Sequence, residues 1–275
     1  MSFGLLFLTS VIAGLVAAMG GMGGGLILIP TLTAFGIDIK QAIAISNLSL
    51  VAISNSAALG DIRRHMPNLR VGAFLEVFAV IGAFGGALTT LILGKQILFF
   101  LCGIFFILCG ISLWRERKES WKSPSRQDAF SRQLGWEGSY YDHVERKTIN
   151  YQGNHAGFAG LFMCLAGAIS VLLGSGGRAL IVLICDKVVG LPPKVSLTTS
   201  NLIIGLIALA GVNVYLEAGL ISPNLVAPVI PGITIGALIG SRLLVYFSNR
   251  VARRTFLVML IVLGLQLILR IQRIR

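Results

Sequence analysis

Charged side chains are scarce in this sequence: they make up 12% of its 275 residues, whereas soluble domains carry about 25%. Histidine is rarer still, with three residues, and the four cysteines have none of the paired spacings that bind metals. A Gly-Lys-Ser/Thr phosphate loop is missing, so nothing supports an ATP-driven function. The low charge excludes a soluble globular protein, and we expect no catalytic residues, no cofactor and no metal site.

Apolar residues are abundant instead. They form 55% of the sequence, and the mean hydropathy is +0.85, which also excludes a disordered chain. A membrane-spanning helix needs about 20 mostly apolar residues. The composition therefore predicts an all-α polytopic membrane protein, and the apolar runs lie at 3–35, 42–59, 71–93, 97–114, 156–185, 195–215, 225–247 and 251–269.

The positive net charge of +12 has a membrane explanation. Basic residues stand at the ends of the apolar runs, where they orient helices by the positive-inside rule. We therefore expect the lipid bilayer, and no nucleic acid, as a partner. The polar stretch 115–155 is too short and too polar to enclose a core, and it is predicted to connect two membrane halves rather than to form a folded domain. The predicted parts are residues 1–114, 115–155 and 156–275.

The two membrane halves repeat one another. A shift of 154 positions places Ser46-Asn47-Leu48 on Ser200-Asn201-Leu202 and Ile81-Gly82-Ala83 on Ile235-Gly236-Ala237. Such ordered triplets are harder to obtain by chance than single matches of Gly or Leu. The sequence therefore predicts an internal duplication, and the same shift also pairs Gly20 with Gly174, Gly23 with Gly177, Gly36 with Gly190, Lys40 with Lys194 and Gly86 with Gly240.

Each half opens with an apolar run that glycines interrupt. The run 3–35 would form a helix of about 50 Å at 1.5 Å per residue, and Met19-Gly20-Gly21-Met22-Gly23-Gly24-Gly25 disfavours a regular helix. The run 156–185 is interrupted by Gly174-Ser175-Gly176-Gly177. Irregular backbone survives at membrane depth only inside protein or beside a watery cavity. We expect two half-helices in each half, either spanning obliquely or returning as a re-entrant hairpin.

Charge distribution favours the re-entrant arrangement. If all eight runs cross, the connector side holds 14 Lys and Arg residues and the other side 7; if the two broken runs are re-entrant, the split is 16 to 5. Both counts leave out Arg178 and Arg242, which lie inside runs. The second split obeys the positive-inside rule better, and its three crossings per half would make the halves inverted repeats. The connector is cytoplasmic in either arrangement.

A family resemblance rests on these residues. A glycine-rich segment leads into an apolar stretch and a proline from Gly20 to Pro30, followed by Ser46-Asn47 and an Ile-Gly-Ala-x-x-Gly element, and the parts recur after the linker. The whole chain thereby resembles the TauE/SafE family of membrane transporters, also called the sulfite exporter or toluene-sulfonate uptake family. The resemblance implies secondary transport of sulfite, organosulfonates or similar anions across the bacterial or archaeal inner membrane. Gly176-Gly177-Arg178-Ala179 departs from the usual second glycine run, which puts a symmetrical pair of sites in doubt.

The predicted anion site follows from the chemistry of the glycine breaks. A break frees backbone N–H groups at the start of the next half-helix, where the helix dipole is positive, and glycine lets a ligand approach the backbone. Arg178 can grip an oxyanion with two parallel hydrogen bonds, and Ser and Asn side chains offer neutral ones. The candidate substrate-binding residues are Gly20, Gly21, Gly23, Gly24, Gly25, Ser46, Asn47, Gly174, Ser175, Gly176, Gly177, Arg178, Ser200 and Asn201.

Structural alternatives stay open for each group. The glycines can serve close helix packing, which we favour for Gly82, Gly86, Gly236 and Gly240. The Ser and Asn side chains can tie the broken helices together, and Arg178 can pair with Glu76 or Asp186. Glu76 is a candidate proton-coupling carboxylate because it lies within a span, although a position at the headgroup level is equally compatible with its place near the run's start.

Three function classes compete. The first is a secondary anion transporter working by alternating access, with the anion bound near the midplane at the broken helices. A passive anion channel is the alternative. A membrane enzyme acting on a lipid phosphate is disfavoured, because His65, His143 and His155 lie in polar loops without acidic partners inside the spans. The substrate, the direction of transport and the coupling ion stay open, as does the oligomeric state, for which a homo-oligomer is one alternative.

Overall fold

The structure is a computed structural model that describes residues 3–20, 25–63, 66–115, 127–142, 147–174, 177–243, 262, 264–267 and 269. Within these ranges the first part forms the helices α1 (Phe3–Gly20), α2 (Gly25–Ala34), α3 (Ile39–Arg63), α4 (Leu69–Ile92) and α5 (Lys95–Arg115). The connector forms α6 (Ala129–Gln133), β1 (Glu137–Asp142) and β2 (Lys147–Gln152). The last part forms α7 (Ala156–Leu172), α8 (Arg178–Leu183), a π-helical turn (Ile184–Val188), α9 (Pro193–Glu217) and α10 (Pro223–Leu243).

Three of these helices are long and apolar enough to cross a bilayer: Leu69–Ile92, Pro193–Glu217 and Pro223–Gly240. Their starts are set locally, since the Asn68 side chain accepts the Val71 N–H at 3.1 Å to cap α4, and Pro193 occupies the first turn of α9. Large apolar side chains lie exposed on the outside of the bundle. Ile81 and Phe158, for example, are 60% and 67% exposed. The described residues are thus mostly helical, in agreement with the predicted helical membrane protein, but the connector adds two strands.

Two pairs of helices pack with their backbones in close contact. A Cβ atom at Gly82 would overlap the carbonyl oxygen of Cys164, and one at Gly86 would overlap that of Ala168, so α4 and α7 run in the same direction. Glycine is needed at these positions because any side chain would separate the two helices. Packing is therefore the role the structure gives to Gly82 and Gly86.

The second pair, α1 and α10, packs in the same way. A Cβ atom at Gly236 would overlap the carbonyl oxygen of Val11, and one at Gly232 would lie 2.8 Å from that of Phe7. These contacts also run in one direction along both helices. The packing role favoured for Gly236 from the sequence agrees with this position.

Helices α7 and α8 form a hairpin whose two ends meet. Helix α9 runs in the same direction as α4, because Thr199 contacts Gly72 near the start of both and Tyr215 contacts Thr90 near the end of both. Since α7 also runs with α4, the intervening α8 and π turn must return. The backbone N–H of Asn154, before α7, donates to Val189 O, after the π turn, at 2.9 Å and closes the mouth of the hairpin.

The connector contains a short helix and a two-stranded antiparallel hairpin that the sequence analysis did not anticipate. An isolated two-stranded hairpin is marginal in water. Here the hairpin packs against the helix bundle. Trp136 is fully buried, and its ring meets the Phe74 ring of α4 edge-on with 5.4 Å between the ring centroids. Tyr151 is buried beside Asn68. The hairpin is therefore stabilised by its contacts with the helices rather than by its own sequence, and the local sequence pattern did not predict it.

Polar side chains mark the opposite end of the bundle. Lys40 Nζ, at the start of α3, donates to Leu91 O, near the end of α4, at 2.7 Å. Asp38 and Lys95 form an ion pair across the same end. The start of α3 therefore lies beside the end of α4, at the end of the bundle opposite the connector.

Candidate functional site

The best described part of the candidate site is the glycine break between α7 and α8. Gly174 has φ +58° and Gly177 has φ +44°, the left-handed region in which side chains are strained. Helix α7 has 17 residues and so places the break about 25 Å from the connector end. Gly174 and Gly177 are both buried, so the break lies inside the protein.

Two polar side chains of α3 bind the carbonyl groups of this break. Ser46 Oγ donates to Gly174 O at 2.6 Å, and Asn47 Nδ2 donates to Val171 O at 3.1 Å and to Ile43 O at 3.0 Å. Ser46 and Asn47 are buried. The Ser46 bond satisfies Gly174 O, and the Asn47 bond adds to the one that Val171 O accepts from the Gly174 N–H at 3.1 Å. Ser46 and Asn47 thus tie the two membrane halves together at the break, which is one of the two roles considered for them.

The first half approaches the same point through α2. A Cβ atom at Gly174 would lie 2.9 Å from Ile29 Cδ1 and 3.1 Å from Ile43 Cα. The half-helix that follows the first glycine run is therefore in contact with the second break. The two halves thus meet at Gly174, whereas the predicted convergence of the two half-helix starts stays a prediction.

Arg178 occupies the first position of α8 and is partly buried. Its Nη2 donates to Asn201 Oδ1 of α9. Asn201 is the ninth residue of a 25-residue helix, about 12 Å from its start, so the guanidinium lies in the interior of the bundle. The structure thus joins two of the predicted site residues, the cationic Arg178 at the break and the neutral Asn201 on α9.

The remaining predicted residues are more dispersed. Ser200 Oγ donates to Leu197 O of its own helix at 2.7 Å, so it makes no link to the break through that bond. Glu76 lies on α4, seven residues after the helix starts, and its Oε1 is buried without a hydrogen-bond partner among the described residues. Gly20 ends α1 and Gly25 begins α2. Gly21, Gly23, Gly24, Ser175 and Gly176 lie outside the described residues.

Sequence reasoning missed two polar side chains at the break. Ser170 is buried one turn before Gly174, and a Cβ atom at Gly177 would lie 3.1 Å from its Oγ. The Tyr215 hydroxyl lies 3.2 Å from Val171 O and 3.1 Å from Thr90 Oγ1. The duplication gives no signal for Ser170 or Tyr215, because their counterparts at a shift of 154 are Val16 and Asp61.

The described part of the chain holds no group of three or more His, Cys, Asp and Glu side chains that could bind a metal ion. What the break offers is a guanidinium, amide and hydroxyl groups, and backbone atoms. These groups can donate and accept hydrogen bonds.

Comparison with known proteins identifies the family to which this arrangement belongs. The profile described as "Sulfite exporter TauE/SafE" matches residues 6–267. The chain belongs to the TauE/SafE family of membrane transporters. It is also similar to a protein of Bacillus subtilis (strain 168) named "Probable membrane transporter protein YunE", with 26% identity over 277 residues and 98% of each chain covered. No solved structure matches the chain. The family resemblance predicted from the glycine runs and the repeated triplets is confirmed.

Proposed function

We propose that this TauE/SafE protein is a secondary transporter that carries small sulfur-containing anions, such as sulfite or an organosulfonate, across the bacterial or archaeal inner membrane by alternating access. The observation that carries the proposal is the position of Arg178, at the glycine break and bonded to Asn201 in the bundle interior. The family description, which names sulfite export, supports the class of substrate.

An arginine at this depth needs a reason. On insertion scales a central arginine costs at least about 2.5 kcal/mol, so such residues pair, face water or serve a function. The bond to Asn201 uses one N–H and fixes the orientation of the side chain. The guanidinium is a planar fork with five N–H donors, which matches the oxygens of a sulfite or sulfonate group. We infer that the anion binds to Arg178 beside the break.

The same shift that relates the triplets also relates the helices, which supports inverted repeats. Helices α3 and α9 begin 154 residues apart, at Ile39 and Pro193, and each has 25 residues; α4 and α10 begin at Leu69 and Pro223. The turns at Gly36 and Gly190 both have positive φ, at +87° and +82°. The α4–α7 and α1–α10 contacts are each other's counterparts, since Gly82 corresponds to Gly236.

Six crossings and a cytoplasmic connector fit this arrangement best. The closed mouth of the α7–α8 hairpin keeps its two ends on the connector side, and the 16 to 5 distribution of basic residues then favours the cytoplasm for that side. Transporters with inverted repeats bind their substrate between the repeats and expose it by rocking one part against the other. Glu76, with a buried oxygen, remains our candidate for a proton-coupling group.

The test is counterflow of radiolabelled sulfite in proteoliposomes that contain the purified full chain. We expect saturable uptake driven by excess unlabelled sulfite inside, which a carrier produces and an open pore does not. Replacing Arg178 with Ala removes a charge-assisted contact of about 1.5–3 kcal/mol and should lower uptake at least about tenfold. Arg178→Lys keeps the charge but loses the fork, so an intermediate rate is expected.

Arg70→Ala is the matched control. Arg70 is exposed at the start of α4, where its Nη1 donates to Gly135 O at 3.4 Å, far from the break. Its removal should leave the rate per reconstituted protein unchanged. Equal uptake by the wild type and Arg178→Ala at matched protein levels would contradict the role of Arg178. Uptake that never saturates and lacks counterflow would contradict a carrier.

A further inference from the structure

The amide group of Asn47 leaves one oxygen without a partner. Its Nδ2 donates to the carbonyl oxygens of Ile43 and Val171, and a flipped amide would press Oδ1 against both of them, so the orientation of the group is fixed. Oδ1 is buried, and it has no hydrogen-bond partner among the described residues. A buried acceptor in this state costs about 1–3 kcal/mol, so it calls for a positively polarised partner.

A second unpartnered oxygen lies at the same end of α7. Ser170 is 1% exposed, and its Oγ has no hydrogen-bond partner among the described residues. Buried serines in helices commonly bond the carbonyl four residues earlier, as Ser49 does to Ile45 O at 2.9 Å. Ser170 instead packs against Gly177, where an added Cβ would lie 2.9 Å from its Cβ and 3.1 Å from its Oγ. It directly precedes Val171, which Asn47 binds.

The counterpart of Asn47 indicates what kind of partner is required. A shift of 154 places Asn47 on Asn201, whose Oδ1 accepts a hydrogen bond from the Arg178 guanidinium. The same shift places Arg178 on Gly24, so the first half has no side-chain cation at that position. Asn47 therefore has the same amide oxygen as Asn201, but no arginine of the protein corresponds to Arg178 beside it.

We propose that Asn47 Oδ1 and Ser170 Oγ belong to a binding site for a sodium ion, which accompanies the anion; this rests on the proposed transport function. Both ligands are neutral oxygens, which suit a hard cation of single charge better than a divalent one that would require carboxylates. Helix α7 ends at Leu172, so the negative end of its dipole lies at the same point. Ends of broken helices and unwound carbonyls coordinate sodium in other secondary transporters.

The site is tested by thermal unfolding of the purified full chain in detergent, without any anionic substrate. The wild type is measured in sodium chloride and in N-methyl-D-glucamine chloride of equal ionic strength. Binding to the folded state alone raises the midpoint, and we expect a rise of about 2 °C or more in sodium. Equal midpoints in the two salts would overturn the site.

Ser170→Ala is the decisive variant, because its hydroxyl has no hydrogen bond to lose among the described residues and the variant should fold like the wild type. We expect its midpoint in N-methyl-D-glucamine to be unchanged and its sodium-dependent rise to be lost. Asn47→Leu should also lose the rise, whereas Ser49→Ala, on the same helix as Asn47, should keep it. A sodium-dependent rise that persists undiminished in Ser170→Ala would overturn the assignment.

Flux separates this inference from the function on which it rests. We expect sulfite counterflow to fall at least tenfold when sodium is replaced by N-methyl-D-glucamine on both sides. Counterflow at the same rate in both media would overturn the sodium site and leave anion transport standing. A sodium-dependent midpoint in a protein that moves no anion would overturn the proposed function and leave the site standing.

Discussion

The two membrane halves use their matching residues alike in packing and differently in polar contacts. Gly82 and Gly236, 154 residues apart, each admit the backbone of a facing helix from the other half. Ser46 and Asn47 bind carbonyls of the break, whereas Ser200 bonds its own helix and Asn201 accepts from Arg178. Close backbone contact requires only that the residue be small, so the two halves both retain it. A polar side chain depends on its neighbours, and one arginine at the position equivalent to Gly24 is enough to change its partner.

The largest expected effect tests the shared packing. Gly82→Ala and Gly236→Ala each place a methyl group against a backbone carbonyl, so the helices must separate. Overpacking of this kind costs about 1–3 kcal/mol, and occasionally more, which exceeds the gain of about 1 kcal/mol in helix propensity. We expect both variants to lower the midpoint of thermal unfolding in detergent by similar amounts.

Gly85→Ala is the control for this pair, because Gly85 lies on α4 with nothing within 4 Å of an added Cβ. Its midpoint should stay the same or rise slightly. A large loss in Gly82→Ala with none in Gly236→Ala would break the equivalence of the two packing faces.

The next effect tests the break itself. Gly174→Ala and Gly219→Ala both force alanine into a left-handed conformation, at φ +58° and +67°, which costs about 1–2 kcal/mol in either case. Only at Gly174 does the new methyl also meet neighbours, Ile29 and Ile43, whereas Gly219 has nothing within 4 Å. We expect Gly174→Ala to lose about 1–3 kcal/mol more of the free energy of unfolding, measured by denaturant titration in detergent. Equal losses of unfolding free energy in the two variants would mean that the contacts of Gly174 with α2 and α3 do not constrain the break.

A smaller effect sharpens the contrast between the serines. Ser46→Ala leaves the buried Gly174 carbonyl without its 2.6 Å bond, at a cost of about 1–3 kcal/mol. Ser200→Ala loses only a bond within its own helix turn, and we expect a loss below about 1 kcal/mol. The comparison of the two unfolding free energies checks this, and a larger loss for Ser200→Ala would reverse the roles assigned to the two triplets.

The smallest effect lies in the connector, which has no counterpart elsewhere in the described chain. Burial opposes the charge of Asp128, but bonds from Ser131 and from the backbone N–H of His155 outweigh it and lower the pKa of the carboxyl. A lowered pKa means that the carboxylate stabilises the fold above its unfolded value of about 3.9 and that this stabilisation is lost as the pH falls through the folded value.

Hydrogen exchange of the α6 amides measures this effect. We expect protection of these amides in the wild type to weaken below about pH 4. In Asp128→Asn we expect protection at pH 7 to be lower by about 1 kcal/mol or less, with little further loss on acidification. If protection fell with pH in the same way in both proteins, the charge of Asp128 would not be what stabilises the start of α6.

Much of the fold was accessible to sequence reasoning because the bilayer imposes simple rules. Apolar runs predicted the helices and glycine runs predicted the breaks. The repeated triplet predicted that Asn47 and Asn201 correspond, and each is the ninth residue of its helix in the structure. Such features follow from length, polarity and backbone freedom, which are local properties.

What sequence reasoning missed depends on tertiary neighbours. The β1–β2 hairpin forms because Trp136 and Tyr151 dock on α4, and the polar sequence around them has no strong strand pattern. Ser170 and Tyr215 look like isolated polar residues in apolar runs until the fold brings them to Val171 and Gly177. The partners of Ser46 and Asn47 were equally inaccessible, because both bond to residues more than 120 positions away.

The buried indole of Trp136 gives this protein an optical probe of its own. It lies against Gly153, next to the Asn154–Val189 bond that closes the α7–α8 hairpin, and it contacts Phe74 on the neighbouring helix. Any motion of the hairpin relative to α4 must change the surroundings of this ring. With Trp114 and Trp121 replaced by Phe, the emission of a single native tryptophan would report the working cycle without an attached dye.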